Sequence, residues 1–70
     1  MKYKRGTMLK QGKTTGFVCN ENNGTIYPIS VIWEGIDNKV FTYDEKWLDD
    51  KFNDIEIIDR DEYVRLLETN

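Results

Sequence analysis

Apolar and polar side chains alternate along several short stretches of this chain, a spacing that places every second residue on one face of a β-strand. The stretch at residues 25–33 alternates most clearly, and we expect one of its faces to lie in the core. Polar residues, glycine and asparagine separate the stretches, as they do at turns. The pattern predicts five strands, at residues 7–10, 17–20, 25–33, 39–43 and 54–58. The predicted core face of the longest strand carries Tyr27, Ile29, Val31 and Trp33.

The turn signals between these strands differ in kind. Residues 21–24 end in Asn23-Gly24, a pair that tolerates positive φ angles and predicts a tight hairpin turn. Pro28 has no N–H to donate to a neighbouring strand, so we expect an edge, a bulge or the start of a strand at this residue. Residues 11–16 predict a polar loop, and residues 35–38 predict a turn into the fourth strand.

The stretch at residues 44–52 lacks strand alternation and suits a helical turn. Asp44 is a good N-cap residue, because its side chain can accept a hydrogen bond from a free backbone N–H of the first turn. We expect Trp47 and Leu48 to face inward from this turn, where they would close one end of the fold. Phe52 either faces inward with them or lies, with Trp47 and Tyr63, on an acidic surface that could bind a partner.

The last stretch changes to helical spacing. Asp59 is followed three residues later by Glu62, which resembles a capping box with aspartate in the cap position. The pattern predicts a helix at residues 59–68, and a helix this short needs tertiary packing to be stable. Its apolar stripe consists of Tyr63, Leu66 and Leu67.

The composition predicts a single soluble domain over residues 1–70. The chain is 39% hydrophobic and includes nine aromatic residues, which is enough for a compact core in a domain of this size. Cys19 is the only cysteine, so an internal disulfide is excluded and a reducing, cytoplasmic location is expected. No apolar run approaches the roughly 20 residues of a membrane span, so we expect no membrane association.

Catalytic chemistry has few candidates in this sequence. Histidine is absent, which removes the usual proton carrier at neutral pH and the commonest metal ligand. Cys19 has no histidine to activate it as a nucleophile and is interpreted as a small core residue. The many carboxylates show no spacing that singles out an acid–base pair or a calcium loop. The sequence therefore predicts a binding protein that is not an enzyme and has no cofactor and no metal site.

The order of predicted elements resembles the Src-homology-3-like (SH3-like) small β-barrels, including Tudor, KOW and mind-bomb-type modules. The resemblance implies a mainly β fold: a five-stranded barrel over residues 6–58 with a short C-terminal α-helix. Such modules usually bind peptides, modified side chains or nucleic acid without catalysis, and the composition is similar to that of small accessory proteins of phages or prophages. The residues that carry the likeness are Arg5-Gly6-Thr7, Gly16-Phe17-Val18, residues 27–35, Phe41-Thr42-Tyr43 and Trp47-Leu48.

Charge is distributed unevenly along the chain. Residues 1–19 carry five basic side chains and no acids, whereas residues 20–70 carry five basic and thirteen acidic ones. The basic segment could attract phosphates, which makes nucleic-acid binding the alternative function, although the pI near 4.8 disfavours it. The two halves could also lie side by side and neutralise each other. The nucleic-acid-binding candidates are Lys2, Lys4, Arg5, Lys10 and Lys13.

Aromatic residues near acidic ones favour a protein partner as the leading hypothesis. Exposed aromatics dominate interface energetics, and an acidic surface steers toward a basic partner. The same aromatics could instead form the core, and Trp33 more readily than Trp47 or Tyr43. The oligomeric state and the partner's identity stay open. The partner-binding candidates are Trp33, Tyr43, Trp47, Asp49 and Asp50.

Overall fold

The alternating stretches form five strands in the computed structural model, which describes residues 2–36 and 39–69. Asp37 and Asn38 of the predicted turn at residues 35–38 lie outside the described residues. In chain order the elements are β1 (Met8–Gln11), β2 (Thr14–Asn20), β3 (Ile29–Trp33), β4 (Val40–Tyr43), α1 (Glu45–Asp49), a 3₁₀ turn (Lys51–Asn53), β5 (Ile55–Ile58) and α2 (Arg60–Thr69).

The strands form one antiparallel sheet in the order β4-β3-β2-β1-β5. The first four strands are a meander, and β5 returns beside β1 after the helical turns. This confirms a mainly β fold with a C-terminal helix. Closure into a barrel would need β4 to pair with β5, and that pair is not among the strand pairs of residues 2–36 and 39–69.

The sequence predicts a polar loop after the first strand and a tight turn after the second, and the structure has the reverse. The tight turn lies between β1 and β2, where Gln11 pairs with Thr14 and Gly12 has a φ of +63°. The predicted polar loop at residues 11–16 is therefore mostly strand. The connection between β2 and β3 is the long one, over residues 21–28, so the predicted tight hairpin at Asn23-Gly24 is wrong.

Side-chain hydrogen bonds explain why β3 begins at Ile29 and not at residue 25. The Asn23 amide donates to the Tyr27 carbonyl (2.8 Å), and its Oδ1 accepts from the Thr25 N–H (2.9 Å). These local bonds compete with strand pairing, and Pro28 adds no donor. Tyr27 is 48% exposed, so its predicted place on the core face is wrong.

The core lies on the predicted face of β3 and on one side of the sheet. Ile29, Val31 and Trp33 are buried, as the alternation predicts. Leu48 of α1 is fully buried and confirms that this helix packs inward, and Phe41, Tyr43 and Ile55 pack against the cluster. The buried apolar residues are Tyr3, Leu9, Val18, Ile29, Val31, Trp33 and Leu48.

Two aspartates organise the helical segment between β4 and β5. Asp44 caps α1 as predicted, with its Oδ1 accepting from the Trp47 N–H (2.7 Å). Asp50 caps the 3₁₀ turn in the same way through the Phe52 N–H (3.0 Å). Because α1 ends at Asp49 and the chain tightens into the 3₁₀ turn, Phe52 is 97% exposed, and its predicted inward orientation is wrong.

The C-terminal helix forms as predicted and packs on β1 and β2. The Glu62 N–H donates to Asp59 Oδ1 (2.8 Å), which is one half of a capping box. The Glu62 carboxylate pairs with Lys10 of β1 (3.3 Å), which ties the helix to the sheet. No helix of the described residues is long and apolar enough to cross a membrane.

Candidate protein-binding surface

The most prominent feature of the surface is a stacked aromatic pair. Tyr43 ends β4 and Trp47 lies in α1, and their ring centroids are 4.5 Å apart with an interplanar angle of 14°. The Asp44 cap between them sets the direction in which α1 leaves the sheet, so the pair is held by the backbone. Trp47 is 40% exposed, whereas Leu48 beside it is fully buried. The predicted inward orientation of Trp47 is therefore wrong.

Trp33 contacts this pair from the core, so it is removed from the set of candidate binding residues. It is 4% exposed, so its ring belongs to the core and cannot meet a partner in this fold, contrary to its inclusion among the binding residues. Its Nε1 donates a hydrogen bond to the Tyr43 hydroxyl (2.9 Å), which satisfies both polar atoms. Trp33 therefore positions Tyr43 and, through it, Trp47.

A groove runs beside the stacked pair. Its volume is about 320 Å³. Tyr27 reaches this groove from the β2–β3 connection, because β3 begins after Pro28 and not at residue 25 as the alternation predicts. Pro28 directly precedes the first residue of β3, near the strand's start, which is one of the positions that its missing N–H allows. We call this site the aromatic groove, and its lining residues are Tyr27, Thr42, Tyr43, Asp44 and Trp47.

The acidic candidates Asp49 and Asp50 are both exposed but also serve the fold. The Asp49 carboxylate accepts from the Tyr3 hydroxyl (2.6 Å) and from Lys2 Nζ (2.9 Å). These bonds, that from Tyr3 first, hold the pKa of Asp49 below its usual range. Burial, together with the Asp49 carboxylate, raises the pKa of Tyr3.

Charge pairing occupies part of the basic N-terminal segment. Lys2 pairs with Asp49 (2.9 Å), and Lys10 pairs with Glu56 and Glu62 (both 3.3 Å). The hydrogen bonds to these two glutamates raise the pKa of Lys10. The two charge-biased halves of the chain are therefore in contact, one of the two arrangements that the sequence allowed. Lys4, Arg5 and Lys13 are exposed.

The other candidate groups for chemistry are the Cys19 thiol and the carboxylates. Cys19 is half-buried, and its Sγ donates to the Ser30 carbonyl oxygen at 3.5 Å. Within residues 2–36 and 39–69, no three Cys, Asp or Glu side chains come close enough to hold a metal ion. A hollow of about 570 Å³ lies beside β5. Its lining includes Lys2 and Lys10, which form ion pairs with acids of the same lining.

Comparisons with protein-family models, with curated proteins and with solved structures find no match to this chain.

Proposed function

We propose that this protein is a non-enzymatic interaction module that binds a protein partner through the aromatic groove. The observation that carries the proposal is the stack of Tyr43 on Trp47, which leaves the Trp47 ring 40% exposed at the mouth of the groove. Tryptophan and tyrosine are the residues that most often anchor protein interfaces. An aromatic pair fixed before binding loses little conformational entropy when the partner arrives.

The size of the groove supports a side chain as its occupant. Its volume of about 320 Å³ lies at the lower end of the range of small-molecule pockets, about 300–1,000 Å³. The lining includes Asp44 together with three aromatic residues. This combination favours the aliphatic stem and positive head of a lysine or arginine, through apolar contact and cation–π attraction.

The charge around the groove supports a basic partner. Residues 44–56 contain six acids and two lysines. Glu45 and Asp50 are exposed near Trp47, and an acidic border of this kind accelerates encounter with a positive surface. A Lys- or Arg-rich segment of another protein fits both the groove and its border.

The fold class that we propose is the Src-homology-3-like small barrel. Two observations support it: β5 lies next to β1, and helical turns connect β4 to β5. The same resemblance supports a binding role without catalysis. A role as an accessory protein of a phage or prophage, in the cytoplasm, is the corresponding proposal for its origin, and it is supported by composition alone.

Nucleic-acid binding is the alternative function, and the experiment must distinguish it from protein binding. Its support is weakened because Lys2 and Lys10 are paired with acids of this same chain. Phosphate-driven binding would need these ion pairs to open, and it would weaken steeply as salt is raised.

The proposed function is tested by affinity capture from an extract of the cells that encode the protein, with wild type, Trp47→Ala and Leu67→Ala in parallel. Leu67 is the matched control, since it is apolar, 37% exposed and located on α2. We expect one protein to be captured by wild type and by Leu67→Ala and lost with Trp47→Ala. The captured protein, once purified, should bind wild type at least about tenfold more tightly than Trp47→Ala.

Two results would contradict the proposal. Equal binding of the purified partner to wild type and Trp47→Ala would show that the groove is not the site. Salt-sensitive binding of a labelled single-stranded DNA or RNA oligonucleotide, with no protein captured, would favour the alternative function. Far-UV circular dichroism of each variant establishes that it is folded.

A further inference from the structure

Phe52 is the most exposed large apolar side chain of the described residues, at 97%. A buried phenylalanine stabilises a fold, and at this exposure Phe52 contributes almost nothing in that way. Scattered exposed apolar residues are common on protein surfaces, so exposure alone carries no conclusion. The surroundings of Phe52 carry the argument further.

The backbone on both sides of Phe52 is held in place. Its own N–H donates to Asp50 Oδ1 (3.0 Å), and the Asn53 amide donates to the Trp47 carbonyl (2.8 Å). The Asn53 carbonyl in turn accepts from Gln11 Nε2 of β1 (2.7 Å). Three hydrogen bonds therefore hold the 3₁₀ turn in place against α1 and the sheet, while the Phe52 side chain is 97% exposed.

The residue after the turn adds to this arrangement. Asp54 adopts the left-handed conformation (φ 54°, ψ 39°), and its N–H donates to the Lys51 carbonyl (3.2 Å). A non-glycine residue in this region is uncommon, and aspartate and asparagine tolerate it best. The turn therefore has a defined backbone, and the Phe52 side chain leaves it into solvent.

We propose that Phe52 is a second anchor of the interface, which enters an apolar pocket of the partner protein. The proposal rests on the proposed function, because it adds a contact to the same interaction and names the shape of the partner's surface. Trp47 and Phe52 lie on one continuous segment, and Asn53 joins that segment internally. An exposed aromatic side chain on a backbone that is held in place supplies a protrusion that an apolar pocket of the partner can receive.

The charges beside Phe52 indicate the border of the partner's pocket. A depression next to the turn is lined by several acids and one lysine, so the complementary surface carries Lys or Arg around its apolar pocket. An anionic membrane surface would be repelled by the same acids, and a second copy of this chain would present them as well. The depression is lined by Asp49, Asp50, Lys51, Asp54, Ile55 and Glu56.

The first experiment places the photo-crosslinking amino acid p-benzoylphenylalanine at position 52, at position 47 or at the control position 68. Glu68 is exposed on α2 and belongs to neither surface. We expect the same protein to be crosslinked from positions 52 and 47 and not from position 68. Crosslinking from 47 without 52 would overturn the role of Phe52 and leave the proposed function intact, whereas no crosslinking from either position would overturn both.

The second experiment titrates the purified crosslinked protein with wild type, Phe52→Ala and Val64→Ala. Val64 is an exposed apolar residue of α2 and serves as the matched control. We expect Phe52→Ala to weaken binding at least about tenfold and Val64→Ala to leave it unchanged. Equal affinities for wild type and Phe52→Ala would overturn the proposal, as would binding of the wild type to anionic phospholipid vesicles that Phe52→Ala abolishes.

A charge variant tests the basic border separately. Asp54→Asn removes one negative charge and keeps a residue that tolerates the left-handed backbone. We expect it to bind a few-fold more weakly than wild type at low salt and equally at high salt, because the contact of an exposed charge is screened. A loss that is the same at both salt concentrations would overturn the assignment of a basic border.

Discussion

The two tryptophans of this chain make contact with the same tyrosine and do different work. Trp33 in β3 is buried and donates to the Tyr43 hydroxyl, whereas Trp47 in α1 stacks on the Tyr43 ring and stays 40% exposed. The sheet side of the molecule thus uses its aromatic residue for stability. The segment from α1 through the 3₁₀ turn instead presents Trp47 and Phe52 to solvent. A domain this small buries only about 60% of its surface, so large side chains left outside the core are informative.

Removal of Trp33 is the strongest test of the difference between the two sides. Trp33→Ala should lower the free energy of unfolding by about 3–5 kcal/mol, because it empties the centre of the core. That loss is close to the whole stability of a small domain, so we expect largely unfolded protein at 25 °C. Urea titration followed by far-UV circular dichroism measures it, with Trp33→Phe as the control that keeps most of the apolar area. A loss below 1 kcal/mol would remove the distinction between Trp33 and Trp47.

The packing of β2 on Trp33 gives the next largest effect. A Cβ atom at Gly16 would lie 2.6 Å from Trp33 Cε3 and 2.9 Å from the Ile32 carbonyl oxygen. Gly16→Ala should therefore destabilise the protein by about 1–3 kcal/mol through overpacking. Thermal unfolding compares it with Thr14→Ala, an exposed position at the start of the same strand. Equal melting temperatures for the two variants would show that Trp33 and its neighbours can shift enough to accommodate the added methyl group.

Asp49 of α1 should make the stability of the protein sensitive to acid. The pKa of Asp49 is lowered in the fold, so its ionised form stabilises the protein above the unfolded pKa of about 3.9. This contribution is lost as pH falls through the folded-state pKa. Asp49→Asn should therefore be less stable than wild type near pH 7, and the difference should shrink toward pH 2 in urea titrations. A difference that stays constant with pH would contradict this, and Glu68→Gln controls for the removal of one negative charge.

Phe52 should give the smallest effect on stability. Because the side chain is 97% exposed, Phe52→Ala should change the free energy of unfolding by less than about 0.5 kcal/mol. Urea titration in parallel with Trp33→Ala provides the measurement. A loss above 1 kcal/mol would mean that Phe52 packs on the fold in solution. Phe52 would then contribute to stability, as Trp33 does.

Alternation along the sequence predicts the five strands and the buried apolar residues of β3, because the burial of one face of a sheet leaves a period-two pattern. Ile29, Val31 and Trp33 are buried for this reason. The helix caps at Asp44 and Asp59 are also readable, since each depends on a bond to a residue three positions away.

The remaining features depend on contacts that no periodicity contains. The predicted inward Phe52 assumed that the helix continues four residues beyond Leu48, and the helix ends at Asp49 instead. Tyr27 reaches the aromatic groove because Asn23 bonds shape the long connection before Pro28. The ion pair of Lys2 with Asp49 joins residues far apart in sequence, so the partial neutralisation of the basic segment emerges only in the folded chain.

Tyr43 connects the aromatic groove to the fluorescence of the two tryptophans. Its hydroxyl contacts the buried indole N–H of Trp33, and its ring lies against Trp47. Anything that settles on Trp47 and tilts the Tyr43 ring also alters the hydrogen bond of an indole that it never touches. The combined emission of Trp33 and Trp47 in a native sample should therefore register occupancy of the groove, with no dye attached and no residue replaced.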